Sequence, residues 1–225
     1  MERIIKDVES LCEQINEDIS SNVVCFTGHR SQKLPWGFNE EDIRYKLARI
    51  ETKKEIIKCI KSGKNHFISG MALGFDMMCA EIVLSLKKTY PNIILECAVP
   101  CVGQEKRWPL SQQNRYKRIL HQADKIRCIF DYYTQNCMEE RNRYMVNSSS
   151  LVIALFNGRE GGTKNTIDYA KRQGKEIIII TPRTSKTLSE EDIDALIDDH
   201  FEGAKKVTAE DKEAYRFYLQ KLMLW

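Results

Sequence analysis

The chain has 225 residues, 42% of them hydrophobic, enough to core one domain of ordinary size but not two. Thirty-five basic against 32 acidic residues leave a net charge of +3, so no global field argues for nucleic acid or an acidic membrane surface. No run reaches the ~18 apolar residues of a membrane span, and the start MERIIKDVESLCEQINED is too charged for a signal peptide; a cytoplasmic protein is expected.

In chain order, the first 20 residues place Ile4, Ile5, Val8, Leu11, Cys12 and Ile15 at helical spacing, which predicts an amphipathic helix outside the core. From residue 23 onward, short apolar runs alternate with longer segments of helical period, the pattern of successive βα units around a parallel sheet. Strands are expected over 23–26, 66–69, 93–99, 125–130, 151–156 and 176–181, and helices over about 41–62, 75–89, 111–122, 138–148 and 164–173. Crossovers of one hand would bring the turns at Thr27, Gly70, Pro100 and Gly158 to a single sheet edge, where open α/β folds bind ligands. Beyond Pro182 a polar, acidic stretch over 185–199 precedes a helical segment over 209–225. Its apolar and aromatic end, from Tyr215 and Tyr218 to Leu222, Met223, Leu224 and Trp225, reads either as docked on its own fold or as a partner-binding tail. The expected organisation is a helical extension over 1–22, one domain over 23–182 and a second helical extension over 183–225.

Eight cysteines stand singly, mostly inside apolar runs, and none forms a CxxC pair or a Cys/His cluster at zinc spacing. They read as reduced core residues, and no metal site is expected.

Chemistry concentrates at the strand ends. Cys25-Phe26-Thr27-Gly28-His29-Arg30 puts a hydroxyl, free N–H groups, a titratable ring and a fixed cation at the sheet edge, suited either to a phosphate or to a surface salt bridge. Ser69-Gly70-Met71-Ala72-Leu73-Gly74-Phe75-Asp76 holds small residues between a strand and a helix, a geometry that lets an anion approach main-chain N–H groups. Asp76 there serves a ribose hydroxyl or the helix dipole. The spacing matches neither GxGxxG nor the P-loop, so a standard nicotinamide dehydrogenase or kinase is not indicated. After Pro100 and Cys101, Gln104-Glu105-Lys106-Arg107-Trp108 interleaves cations with an aromatic, with Trp108 either stacking on a base or covering a loop. In Met138-Glu139-Glu140-Arg141-Asn142-Arg143, one or two of Arg141, Asn142 and Arg143 point to the same cleft, or Glu139 and Arg143 simply pair along the helix. Asn157, Gly158, Gly161, Gly162 and a helix-capping Thr163 form a second phosphate cradle.

Phe26-Thr27-Gly28-His29-Arg30, Ile68 to Asp76, Gln104-Glu105-Lys106-Arg107-Trp108, Gln122-Ala123-Asp124 and Gly161-Gly162-Thr163, in that order, resemble the SLOG superfamily, which includes the lonely-guy phosphoribohydrolases and the DNA-processing protein DprA, and within it the YpsA-like branch. The resemblance covers about residues 23–182 and implies a Rossmann-like three-layer α/β fold, a mostly parallel sheet of about six strands, and a cleft for a nucleotide-derived ligand between the two glycine turns. In the lonely-guy motif PGGxGTxxE a glutamate assists cleavage of the base–ribose bond, and here Thr166 stands in its place, so that route lacks its carboxylate.

The leading expectation is a binding or sensor protein for a phosphorylated nucleotide derivative such as ADP-ribose or NAD, with no cofactor required. Cleavage or transfer of an N-glycosidic bond is the alternative, with Asp76, Glu81 and His29 as catalytic candidates. Single-stranded nucleic-acid binding by Arg107, Arg115, Lys117 and Arg118 comes third, disfavoured by the small net charge. A homo-oligomer is compatible with the sequence.

Overall fold

The computed structural model describes residues 20–222. The amphipathic helix expected over the first 20 residues, apart from Ser20 itself, and the terminal Met223, Leu224 and Trp225 lie outside the described residues.

Six strands form one sheet: β1 (Val23–Gly28), β2 (His66–Ser69), β3 (Ile94–Cys101), β4 (Lys125–Phe130), β5 (Leu151–Leu155) and β6 (Glu176–Ile180). Their order is β4-β3-β2-β1-β5-β6 and every pairing is parallel. Two neighbouring interior strands, β1 and β5, are apolar over nearly their whole length. VVCFT in β1 and LVIAL in β5 must bury both faces, and they do.

Seven helices are described: α1 (Ile43–Lys61), α2 (Phe75–Leu86), α3 (Leu110–Gln122), α4 (Cys137–Asn147), α5 (Gly162–Arg172), α6 (Glu190–His200) and α7 (Ala209–Leu222). Alternate residues of the strands feed two cores. Phe26, Phe67 and Leu95 pack with Ile56 of α1, Phe75 and Ile82 of α2 and Ile119 of α3. Cys25, Ile68, Ala98 and Val152 meet Met145 and Val146 of α4 and Ala170 of α5 on the other face. The molecule is thus a three-layer α/β fold of Rossmann type. None of the described helices is long and apolar enough to cross a membrane.

Three local expectations need correction. The acidic stretch after Pro182 contains a helix, α6, because Ser189 accepts the Asp192 N–H (3.2 Å) while Asp192 accepts the Ser189 N–H (2.8 Å), closing a capping box. Its Ile193, Leu196 and Ile197 pack with Leu219 of α7 on Leu47 and Ile50 of α1. β3 runs through Pro100 to Cys101, since the neighbouring strand continues to pair with it there. Cys128 lies exposed on β4, an edge strand, whereas the other six described cysteines are buried.

The sheet order fixes where a ligand can sit. α1 carries the chain from β1 to β2 on one side, whereas β5 arrives on the opposite side of β1. The loops leaving the carboxyl ends of β1 and β5 therefore diverge and open a crevice between them.

Candidate functional site

Gly28 ends β1 beside Leu155 of β5, and the His29 N–H donates to the Leu155 carbonyl (3.3 Å), so the two loops start in register. Beyond them a cleft of about 290 Å³ is walled by Thr27, His29, Arg30, Ala72 and Asp76 on one side, and by Arg141, Asn142, Gly162 and Thr163 on the other. It continues over Met138, Asn142 and Gly162 into a second lobe of about 410 Å³ between α4 and α5.

The turn after β2 is tightly built. Ser69 donates its hydroxyl to the Asp76 carbonyl (2.8 Å) and accepts the Met71 N–H (3.2 Å). Met71 adopts φ 56, a left-handed conformation unusual for a side chain of that size, and Gln104 Nε2 donates to its carbonyl (3.1 Å). Gly70 is required by close approach: a Cβ there would lie 2.4 Å from Arg141 Nη1 and 2.7 Å from Asp76 Oδ2. Gly74, at φ 99, precedes α2.

The second turn ends at Gly161, φ 140, which caps α5 without a side-chain bond. The N–H groups of Gly162, Thr163 and Lys164 precede the first helical bond, from Asn165 N–H to the Gly161 carbonyl (3.0 Å), and are available to an anion. Thr163 is the second helical residue rather than the cap, and its hydroxyl faces His29 Nδ1 at 3.5 Å. The Asn157 N–H donates to His29 Nε2 (3.4 Å), a bond that favours the tautomer with its proton on Nδ1. Burial, with Lys33 and Arg159 nearby, pushes the His29 pKa below its usual value. The unfolded chain then binds the extra proton first, so this term is complete above about pH 6.5 and is lost as pH falls towards the folded pKa. His29→Asn is expected to flatten the decline of the urea midpoint below pH 6.5; an unchanged decline would remove His29 as its source.

Arg141 on α4 is the unusual group. It is 4% exposed, and its Nη1 has no hydrogen-bond partner, alone among buried side-chain nitrogens and oxygens of the described residues. Asp76 Oδ2 is 3.9 Å away and is itself engaged by the Ala72 N–H (3.3 Å). Burial pushes the Asp76 carboxyl above its ordinary value, with Arg141 pulling the other way, and burial pushes Arg141 down. The pair is thus not a closed ion pair. Arg141 Nε donates to Asn142 Oδ1 (2.8 Å), Asn142 Nδ2 to Thr166 Oγ1 (3.0 Å), and Thr166 Oγ1 to the Gly162 carbonyl (2.8 Å). This chain of bonds ties α4 to the start of α5. Arg30 and Lys33 stand exposed at the rim.

Other expected residues lie elsewhere. Glu81 faces away, bonded to Arg115 (2.5 and 2.9 Å) and Arg118 (3.3 Å), because α2 turns that side towards α3. Trp108 packs edge-on against Tyr116 of α3 at 5.4 Å, which explains its place in the sequence without a ligand. Arg107 is exposed outside the cleft, and Pro100 is buried in β3. Asn157 shapes its own turn, accepting the Arg159 N–H (3.1 Å), and Gly158 at φ 83 allows that turn. Lys33 and Met138 carry no motif that marks them as cleft residues in the sequence, and Arg141 is one of three candidates there with Asn142 and Arg143. Arg141 and Arg143 differ by two positions, and the structure separates them: Arg141 is buried in the first lobe, whereas Arg143 pairs with Glu139 at 2.8 Å on the more exposed wall of the second.

A crevice at the switch point of a Rossmann-like parallel sheet, walled by two glycine turns, is the arrangement that the resemblance of the sequence motifs implied. The chain belongs to the YspA SLOG family, whose model matches residues 24–184. It is similar to the uncharacterised SPbeta prophage-derived protein YoqJ of Bacillus subtilis, 34% identical over 124 residues, covering 50% of this chain and 72% of that one. Among solved structures, DNA processing protein A from Helicobacter pylori is similar at TM-score 0.51 and 17% identity, over 92% of this chain and 83% of that one. The DprA of Streptococcus pneumoniae matches at TM-score 0.48 and 15% identity over 88% of this chain, which spans 62% of that protein's length.

Proposed function

We propose that the cleft binds a phosphorylated, nucleotide-derived ligand such as ADP-ribose or NAD, and that the protein acts as its binding or sensing module. The observation that supports this most is the unpartnered Nη1 of buried Arg141, opposite the free first-turn N–H groups of α5. A buried guanidinium nitrogen without a hydrogen bond is costly, and a phosphoryl group would satisfy it and the helix terminus together.

Calorimetry against ADP-ribose, NAD, AMP and inorganic phosphate tests the reading. Gly162→Asp is the companion variant: the site of its Cβ has no neighbour within 4 Å, so the side chain fits. A carboxylate in the first turn favours the helix dipole, so stability should change by no more than about 1 kcal/mol. The same charge repels a phosphoryl group, and affinity should fall at least ~100-fold, about 2.7 kcal/mol. Equal binding by both proteins would sink the proposal.

A second reading, cleavage of an N-glycosidic bond, draws on Asp76, a buried carboxyl with a raised pKa at the cleft wall. Chromatography for released base decides it, with Asp76→Asn as the inactive control. Thr166, hydrogen-bonded at both ends of its hydroxyl, offers no charged base on the lonely-guy pattern. The Helicobacter pylori relative is described as binding single-stranded DNA. Of the four cations considered for that role here, Arg115 and Arg118 are committed to Glu81. An oligonucleotide shift assay at low salt belongs in the same panel.

A further inference from the structure

The two lobes of the cleft differ in what they offer a ligand. In the first, Arg141 Nη1 has no acceptor and faces the free N–H groups that open α5, so positive charge there is unanswered. In the second, of about 410 Å³, Arg143 is paired with Glu139 (2.8 Å) and Asp168 holds Lys164 (3.0 Å), so the charges largely balance. What this lobe presents is half-buried Met138 and the ring of Tyr169, whose hydroxyl is already committed to Asn147 Oδ1 (2.9 Å). The guanidinium carbons of Arg143 and Arg172 stand 5.6 and 5.8 Å from the centre of that ring, at the outer limit of a cation–π contact. The side-chain amides of Gln135 and Asn165 also line the lobe, exposed and without a hydrogen bond among the described residues.

A second phosphoryl group gains little in such a lobe, because it would have to part Arg143 from Glu139 or lie beside Asp168. A flat heterocycle suits it better, with one face on Tyr169 and Met138, guanidinium planes alongside, and an edge within reach of amides that both donate and accept. The two lobes share Met138, Asn142 and Gly162, so they form one continuous space. Tyr169 follows Gly162 by seven residues on α5, about 10 Å along the helix axis, a span that one ligand can bridge. We propose that the second lobe receives the nucleobase of the ligand whose phosphoryl group lies between Arg141 and the start of α5, stacked on Tyr169 and read at its edge by Gln135 and Asn165. This assignment of the base rests on the phosphoryl reading of the first lobe.

AMP and ribose 5-phosphate differ only in the base, so calorimetry of the full-length chain with these two ligands isolates the second lobe. AMP should bind at least about tenfold more tightly, the scale of one base on one aromatic ring. Tyr169→Ala should remove that advantage and leave the affinity for ribose 5-phosphate as it was, whereas Tyr169→Phe should keep it. Gln135→Ala with Asn165→Ala, both at exposed positions, should weaken AMP about fivefold and spare ribose 5-phosphate. That pair carries the test if Tyr169→Ala fails to fold. Equal binding of AMP and ribose 5-phosphate by the parent overturns the base assignment while the phosphoryl reading stands. A Tyr169→Ala protein that keeps the advantage, or that loses both ligands alike, overturns it too, since the ring would then be no platform for the base. Failure of either ligand to bind at all removes the base assignment and the phosphoryl reading together.

Discussion

Arg141→Met is expected to lower affinity for a phosphorylated ligand about 100-fold while leaving the protein folded. Arg141 is 4% exposed, and its Nη1 has no hydrogen-bond acceptor among the described residues, so the folded state bears the cost of desolvating it. A hydrogen bond between charged partners in such a setting contributes about 1.5–3 kcal/mol, which spans roughly 10- to 150-fold in binding. Methionine fills similar volume without a charge, and exchanging a buried charge for apolar atoms is often neutral or stabilising. Asp76 loses the cation that holds its pKa down, so its carboxyl rises further and is more readily neutralised. The two readouts therefore part: calorimetry should show lost binding and the urea midpoint should barely move. Arg141→Lys keeps the charge but loses the forked donor, and an intermediate loss of about tenfold is expected. If Arg141→Met binds as tightly as the parent, Arg141 is a structural residue and the phosphoryl assignment fails with it.

Much of the scaffold was legible from residue type alone. The uninterrupted apolar runs VVCFT and LVIAL belong in the middle of a parallel sheet, and the sheet order puts them there, side by side. That adjacency then sets the crevice between the Gly28 and Gly158 turns. Side-chain direction was less legible, because it depends on helix rotation that spacing leaves free. Glu81 and Asp76 lie on the same helix, yet Asp76 lines the cleft and Glu81 meets Arg115 on the opposite side. Arg141 and Arg143 are likewise parted by about 200° of helix, which makes one buried and the other solvated. α6 escaped notice because its acids dominate the composition, although Ser189 and Asp192 carried a capping signature and Ile193, Leu196 and Ile197 a helical apolar stripe.

The glycines of the cleft should separate by mechanism when each is changed to alanine. Gly28→Ala is expected to cost most, about 2–3 kcal/mol, because its Cβ would fall 2.5 Å from both Cβ and Cδ1 of Phe75. Phe75 is 1% exposed and opens α2, so the ring has no free space to enter and the helix start must move away from β1. Gly158→Ala meets nothing within 4 Å, and its cost is confined to φ 83, about 1–2 kcal/mol. Gly162→Ala has both open space and no left-handed requirement, and should be neutral or slightly stabilising by favouring the helix. For a chain of this size each kcal/mol moves the melting temperature by about 2–4 °C, so a scan resolves the series. Displacing the start of α2 also shifts Asp76 relative to Arg141, which predicts that Gly28→Ala loses ligand affinity along with stability, whereas Gly162→Asp loses affinity alone. A Gly28→Ala protein as stable as Gly162→Ala would mean that β1 and α2 are not in the contact from which the cleft geometry derives.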